Sequence, residues 1–286
     1  MIYLIADYYH WEAYSQVRTI WEYFQSCKAT CLNRKQVNWD KIQDKSIVVI
    51  YTSLCRLSDM VFKKLKERGV RIISFGLSDP VMYSSIKHKN CDLYCSNNYW
   101  LENSYFYPSV CDPKYHKWLN LQKDIDIIFI GTAKHRVVKN RISTVDKLRK
   151  IGFKIKCFGN KWPSHPDNYP FLEGCKKIEM INRAKLYLDL SNAKASLGHR
   201  IMEASCCATP ILTFKRDDIK TLFKENEEIL FYSNFKTLVE QLNKYLKSPH
   251  ELVQIGTNAS MRARNEHIAF KKFNQIFEEL DKKTHN

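Results

Sequence analysis

Glycine and proline are scarce in this chain, and long apolar runs are absent from it. With 8 Gly and 8 Pro in 286 residues and 44% hydrophobic residues, the composition excludes collagen-like and broadly disordered chains. No stretch reaches the roughly 18 apolar residues of a membrane-spanning helix, and residues 1–7 lack the basic region of a secretory signal. We therefore expect a cytoplasmic globular protein of about two domains.

Recognised metal and nucleotide motifs are also missing. Cys27/Cys31 and Cys91/Cys95 are spaced like ligand pairs, but no matching Cys/His pair follows either of them. We interpret the ten cysteines as reduced thiols, most of them buried. Neither a GxGxxG nor a Walker motif occurs, which argues against a dinucleotide or P-loop site. The sequence predicts no metal centre.

Acidic residues are outnumbered. Lys and Arg total 46 against 30 Asp and Glu, a net charge of +16, and residues 134–161 contain ten basic residues and one acid, Asp146. Such a window attracts a phosphate-rich partner. A solvated, lysine-rich helix face is the alternative explanation, and composition does not separate the two.

Apolar runs and helical spacings alternate along both halves of the chain. Strands are predicted over 2–6, 46–52 and 70–75, with helices between them, and the unbroken run at 47–50 is typical of a sheet covered on both faces. After a segment at 107–113 with two prolines, the same alternation restarts at a buried strand over 126–131. This order predicts an α/β protein with parallel sheets.

We expect two Rossmann-like domains facing a cleft, since ligands bind preferentially between domains. The predicted domains span residues 1–118 and 119–262. The helix over 263–286 is predicted to pack back on the first domain.

The strongest constellation of polar residues lies at a predicted helix start. Gly198 precedes the helix, Arg200 is in its first turn, and Glu203 shares a face with His199 and Arg200. Free N–H groups at a helix start attract phosphate, and a carboxylate can accept from a ribose diol. An ordinary Arg200–Glu203 pair with His199 as a cap is the open alternative. Gly131, which ends a buried strand, is a second and weaker candidate for close approach to a ligand.

Short motifs in the second half resemble the donor-binding domain of GT-B glycosyltransferases, especially the CgeB/YkvP-like group. The resemblance runs from about Asp124 to the final helix. The matching segments are Gly131-Thr132 followed by Arg141, FGNKW at 158–162, NRAK at 182–185, RIMEA at 200–204, TPILT at 209–213 and NEEILF at 226–231.

The resemblance implies a nucleotide-sugar co-substrate, UDP-sugar by preference, and no cofactor or metal, because basic side chains and helix-start amides neutralise the leaving diphosphate. Glu203 would bind the ribose, and Arg200 would face the diphosphate. Ala195 and Ala208 depart from the Glu and Gly usual at these positions. The donor-binding residues implied are Gly131, Thr132, Arg136, Arg141, Gly159, His199, Arg200 and Glu203.

An inverting reaction needs a general base to take the proton of the acceptor hydroxyl. The first domain offers Asp7 and His10 after its opening strand, and Asp79 after a later strand. Their alternatives are structural: Asp7 as a loop cap, His10 as a solvated residue at a helix start, and Asp79 as a turn residue before Pro80.

The net positive charge favours a polyanionic acceptor. A hydroxymethylated base in duplex DNA is our preferred acceptor, which would resemble phage DNA glycosyltransferases acting in the host cytoplasm by base flipping, with Trp11, Tyr83 or Trp100 stacking on bases. The alternatives are transfer to a protein or a surface polysaccharide, and an inactive nucleotide- or nucleic-acid-binding module.

Overall fold

The computed structural model describes residues 1–6, 16–51, 58–76, 91–133, 140–191 and 197–285. The chain forms two compact units. Unit 1 comprises Met1–Val110 together with Ala269–Asn286, and unit 2 comprises Cys111–Ile268.

Strands and helices alternate within each unit. The strands are β1 (Ile2–Ala6), β2 (Thr30–Asn33), β3 (Ile47–Tyr51), β4 (Arg71–Gly76), β5 (Leu93–Ser96), β6 (Tyr105–Phe106), β7 (Ile125–Ile130), β8 (Ile155–Phe158), β9 (Asn168–Tyr169), β10 (Ala184–Leu188), β11 (Ile211–Phe214) and β12 (Leu230–Tyr232). The helices are α1 (Gln16–Ser26), α2 (Asp59–Glu67), α3 (Arg141–Lys150), α4 (Gly174–Arg183), α5 (His199–Cys206), α6 (Asp217–Lys220), α7 (Phe235–Tyr245), α8 (Pro249–Glu266) and α9 (Ala269–His285).

Unit 1 is built on a six-stranded parallel sheet in the order β2-β1-β3-β4-β5-β6. The apolar run of β3 lies between β1 and β4, with Ile2 opposite Ile47 and Ile47 opposite Arg71. Helix α9 contributes Phe273, whose ring lies 4.8 Å from that of Phe24 on α1. The last helix is therefore part of the core of unit 1.

Unit 2 has a second six-stranded parallel sheet, ordered β12-β11-β10-β7-β8-β9. In a parallel sheet all carboxyl ends of the strands meet at one edge, and ligands bind outside that edge. Here the edge is formed by the residues that follow β7, β8 and β10, and helix α5 follows β10 along the chain.

Two differences from the predicted elements are instructive. The helix predicted over 263–286 is divided between α8 and α9, because His267 and Ile268 leave the helix and Ile268 forms a bridge with Cys111. The strand predicted over 126–131 begins one residue earlier, at Ile125, and ends at Ile130. The nine cysteines within the described ranges are free thiols, and no described helix is long and apolar enough to cross a membrane.

Candidate active site

The loops after β7 and β8 are tied together backbone to backbone. The N–H of Gly131 donates to the carbonyl of Phe158 at 2.8 Å, and the N–H of Ala133 donates to that of Asn160 at 2.9 Å. Gly159 has a φ of +147°, and a Cβ there would lie 2.3 Å from the oxygen of Gly131. Trp162 Nε1 donates to the same oxygen at 2.9 Å. Only glycine allows this approach, so position 159 shapes the predicted donor-binding loop.

Arg141 links the loop after β7 to the end of β10. Its Nη1 donates to the carbonyl of Thr132 at 2.7 Å and its Nε to that of Leu190 at 3.5 Å. The guanidinium also lies over the ring of Phe129, 5.4 Å from its centre. Burial lowers the pKa of Arg141, and the nearby charge of Arg200 lowers it further. Arg141 thus holds backbone carbonyls in place, and its direct contact with a donor stays a prediction.

The end of β10 is fixed by Asp189. Its Oδ2 accepts from Thr213 Oγ1 at 2.7 Å and from the hydroxyl of Ser191. Its carbonyl accepts from the Tyr232 hydroxyl at 3.1 Å. The carboxylate therefore accepts hydrogen bonds from hydroxyls at the same sheet edge, beside the start of the segment that leads to α5.

Helix α5 begins without a side-chain cap. Gly198 is its N-cap, and a Cβ placed there would meet no atom within 4 Å. The first N–H groups of a helix lack intrahelical acceptors and carry partial positive charge. Within the described ranges, the Arg200 guanidinium in the first turn has no hydrogen-bond or ion-pair partner. The start of α5 therefore offers partial positive charge and the Arg200 guanidinium to an anion.

Glu203, one turn further along α5, is a buried carboxylate in which one oxygen accepts a hydrogen bond. The residue is 5% exposed, and its Oε1 accepts from Lys177 Nζ at 2.9 Å. Burial raises its pKa, but the interactions with Lys177, His116 and Arg200 outweigh burial and lower the pKa to about 2. Its Oε2 is buried and has no hydrogen-bond partner in the described ranges. The predicted alternative, an ordinary Arg200–Glu203 pair, is not formed: Glu203 pairs with Lys177 instead.

His116 is a member of this cluster that the sequence did not predict. Its side chain is 1% exposed, and its Nε2 lies 3.9 Å from Glu203 Oε1. The N–H of Asp112 donates to its Nδ1 at 3.1 Å. No motif surrounds His116, and it is 87 residues from Glu203 in the sequence, so only the fold brings the two together.

His199 is partly buried at the first position of α5. Burial lowers its pKa to about 4, with Arg200 and Lys177 acting in the same direction and Glu203 opposing them. The imidazole is therefore neutral at pH 7, and it adds no positive charge to the helix start.

The predicted site residues fall into two groups in unit 2. Gly131, Thr132, Arg141 and Gly159 lie on the loops after β7 and β8, and His199, Arg200 and Glu203 lie on α5. The predicted residues that lie outside the described ranges are Asp7, His10, Trp11, Asp79, Tyr83 and Arg136. Within the ranges that are described, no group of three His, Cys, Asp or Glu side chains is arranged to hold a metal ion.

Comparison with known proteins supports the predicted fold. Residues 141–278 match the family model described as glycosyl transferase-like. No curated protein sequence matches the chain. Among solved structures, a glycosyltransferase from Rickettsia africae aligns over 100% of this chain and 99% of its own, with a TM-score of 0.65 and 10% identity.

Two further structures are similar in fold. Anabaena Alr3699/HepE, solved in complex with UDP and glucose, aligns over 98% of this chain and 99% of its own, with a TM-score of 0.61 and 11% identity. TarM of S. aureus aligns over 93% of this chain with a TM-score of 0.60 and 9% identity, and this chain spans only 58% of TarM. The predicted α/β fold class, with two parallel sheets of the GT-B glycosyltransferase type, is confirmed.

Proposed function

We propose that this protein is a glycosyltransferase that moves a sugar from a nucleotide-sugar donor, UDP-sugar by preference, to a hydroxyl acceptor. The observation that carries the proposal is the pattern of unsatisfied groups on α5. The helix start carries partial positive charge, and within the described part of the chain the Arg200 guanidinium has no partner and Glu203 Oε2, one turn away, is a buried acceptor with no hydrogen bond.

A nucleoside diphosphate complements this pattern. Its diphosphate needs donors and positive charge, which a helix start and an arginine supply. Its ribose carries hydroxyls that donate to a carboxylate. A buried acceptor left unsatisfied costs about 1–3 kcal/mol, so a ligand hydroxyl that satisfies Oε2 of Glu203 recovers part of this cost on binding. HepE has been solved with UDP and with UDP-glucose bound, which supports uracil as the base of the donor.

The proposed reaction needs few protein groups. The acceptor oxygen bonds to the anomeric carbon, the bond from that carbon to the diphosphate oxygen breaks, and UDP leaves. Arg200 and the α5 start would stabilise the charge that develops on the diphosphate, so we propose that no metal is required. The base that takes the acceptor proton is proposed to be Asp7, His10 or Asp79.

We keep the hydroxymethylated DNA base as the preferred acceptor, and with it a place in the CgeB/YkvP-like group. The support for this acceptor is the net charge of +16. Mass spectrometry of hydroxymethylcytosine duplex DNA, after incubation with a panel of UDP-sugars, tests it. A mass gain of one sugar supports it, and transfer detected only to protein or polysaccharide acceptors contradicts it.

Calorimetric titration with UDP tests the donor site separately. Wild-type protein should bind UDP, and Arg200→Ala and Glu203→Ala should each weaken binding at least tenfold, since each loses a charge-assisted hydrogen bond. Lys236→Ala and Glu251→Gln, exposed changes on α7 and α8, are the matched controls. Unchanged UDP binding in both α5 variants refutes the site. Chelation with EDTA should leave binding unchanged.

A further inference from the structure

Three side chains from separate segments meet at the buried carboxylate of Glu203. Lys177 comes from α4, His116 comes from the segment that follows the start of unit 2, and Glu203 comes from α5. Their side chains are 14%, 1% and 7% exposed respectively. A lysine ammonium and a carboxylate are rarely this buried unless paired, and here Lys177 and Glu203 form that pair.

His116 has a defined tautomer in this cluster. Because Nδ1 accepts the N–H of Asp112, the neutral imidazole carries its proton on Nε2, the atom 3.9 Å from Glu203 Oε1. Burial lowers the pKa of His116, and the charge of Lys177 acts in the same direction, with Glu203 and Asp112 opposing them. His116 therefore turns a neutral N–H toward the carboxylate.

The backbone that carries His116 is anchored on both sides. Asn182 accepts from the N–H of Leu119 at 2.8 Å and donates to the carbonyl of Lys117 at 2.9 Å. Arg264 donates to the carbonyl of His116 at 3.3 Å. The backbone from His116 to Leu119 is consequently held by groups other than Glu203.

Two polar atoms of the cluster, Oε2 of Glu203 and Nε2 of His116, are buried and have no hydrogen-bond partner among the residues that the structure describes. Lys177 occupies Oε1, which leaves Oε2 as the acceptor available to a ligand. We propose that Lys177 and His116 are positioning residues: they orient Glu203 and keep its carboxylate ionised, so that the site selects ribonucleotides over 2′-deoxyribonucleotides. This inference rests on the proposed function, since it concerns the same nucleotide site.

The physical basis is the charge of the acceptor. A hydrogen bond to an ionised carboxylate is worth more than one to a neutral carboxyl. Lys177, His116, Arg200 and His199 are the titratable and charged groups that act on Glu203. Among these, Lys177 alone makes a direct hydrogen bond to the carboxylate in the described part of the chain. Without Lys177, burial would favour the protonated form of Glu203. A neutral carboxyl would distinguish a ribose diol from the single hydroxyl of deoxyribose poorly.

The test compares UDP with 2′-deoxy-UDP by calorimetry. Wild-type protein should prefer UDP by about tenfold or more, the difference expected for a hydrogen bond to a charged group, and its preference should be constant between pH 5.5 and 8. Lys177→Met should bind 2′-deoxy-UDP as wild type does but should lose the preference for UDP. Any preference that this variant retains should fall as the pH is lowered, because its Glu203 takes up a proton.

Control variants separate positioning from structure. Lys176→Met, an exposed neighbour on α4, should behave as wild type, and Lys177→Arg should restore the preference. If Lys177→Met does not fold, Lys177→Gln and His116→Leu make the same comparison. The inference is overturned if wild type binds UDP but these variants keep its preference and its flat pH profile. Wild-type protein that binds neither nucleotide would instead overturn the proposed function.

Discussion

Replacing Lys177 with methionine should reveal how strongly the buried ion pair makes the stability of unit 2 depend on pH. The pKa of Glu203 is about 2, against an ordinary value of 4.5. At about 1.4 kcal/mol for each tenfold change in a protonation equilibrium, this difference corresponds to about 3 kcal/mol. Because the folded-state pKa is the lower one, this stability is present above pH 4.5 and is lost as the pH falls toward 2.

Lys177→Met removes the partner and leaves the carboxylate buried at 5% exposure. Breaking a buried ion pair from one side costs about 3–5 kcal/mol, and we expect a loss of this size at pH 7. With burial now dominant, the pKa of Glu203 rises above its ordinary value, so the loss should shrink as the pH is lowered from 8 to 5. Urea unfolding at a series of pH values measures both effects.

A double-mutant cycle identifies the origin of the loss. Glu203→Gln in the Lys177→Met background should recover most of the lost stability, because no uncompensated charge is then buried. Lys176→Met, on the exposed side of α4, should change stability by less than about 0.5 kcal/mol. A Lys177→Met loss below about 1 kcal/mol at pH 7, or a loss that stays the same with Gln at position 203, refutes the reasoning.

Three further predictions concern stability, and urea unfolding measures each of them. Gly159→Ala should destabilise unit 2 by more than about 2 kcal/mol, roughly the sum of backbone strain and a clash with the facing loop. Gly152→Ala, at a φ of +103° with open space around its Cβ, should show the strain alone. Equal losses of stability in the two variants contradict this prediction. Ala208→Gly should stabilise by roughly 0.5–1 kcal/mol, because Ala208 has a φ of +56° that glycine adopts without cost; a loss of stability would refute it. Asp218→Asn should cost about 3 kcal/mol or more, since its ion-pair partner Arg216 is equally buried. Asp217→Asn, with a side chain that is 60% exposed, should cost little. Similar losses in the two variants would show that burial is not the cause.

The central strands could be predicted because they are buried on both sides. The run at 47–50 and the run at 127–130 became β3 and β7, each between two neighbouring strands. The short strands β2, β6 and β9 were not predicted. They have two to four residues each, and all three lie at sheet edges with mostly partly buried residues. With so few residues, neither alternation nor an apolar run is detectable.

The site could be predicted only in part for a related reason. The motif from Gly198 to Glu203 is local, so its spacing places its members on one helix. Lys177 and His116 act on Glu203 across sequence separations of 26 and 87 residues, and neither stands in a motif. Ala208 was interpreted as a departure from glycine, yet its backbone keeps the left-handed conformation for which glycine is preferred. The departure therefore lies in the side chain and not in the turn.

The charge of the chain illustrates the difference between counting side chains and locating them. Several cations near the sheet edge and helices of unit 2 are committed to internal partners: Arg141 to backbone carbonyls, Lys177 to Glu203, and Arg216 to the buried Asp218. Arg200 has no such partner within the described ranges. A net charge of +16 therefore overstates the positive charge that this edge offers to a ligand. Affinity for a diphosphate here should depend on Arg200 and the α5 start, and only weakly on the lysines that dominate the composition.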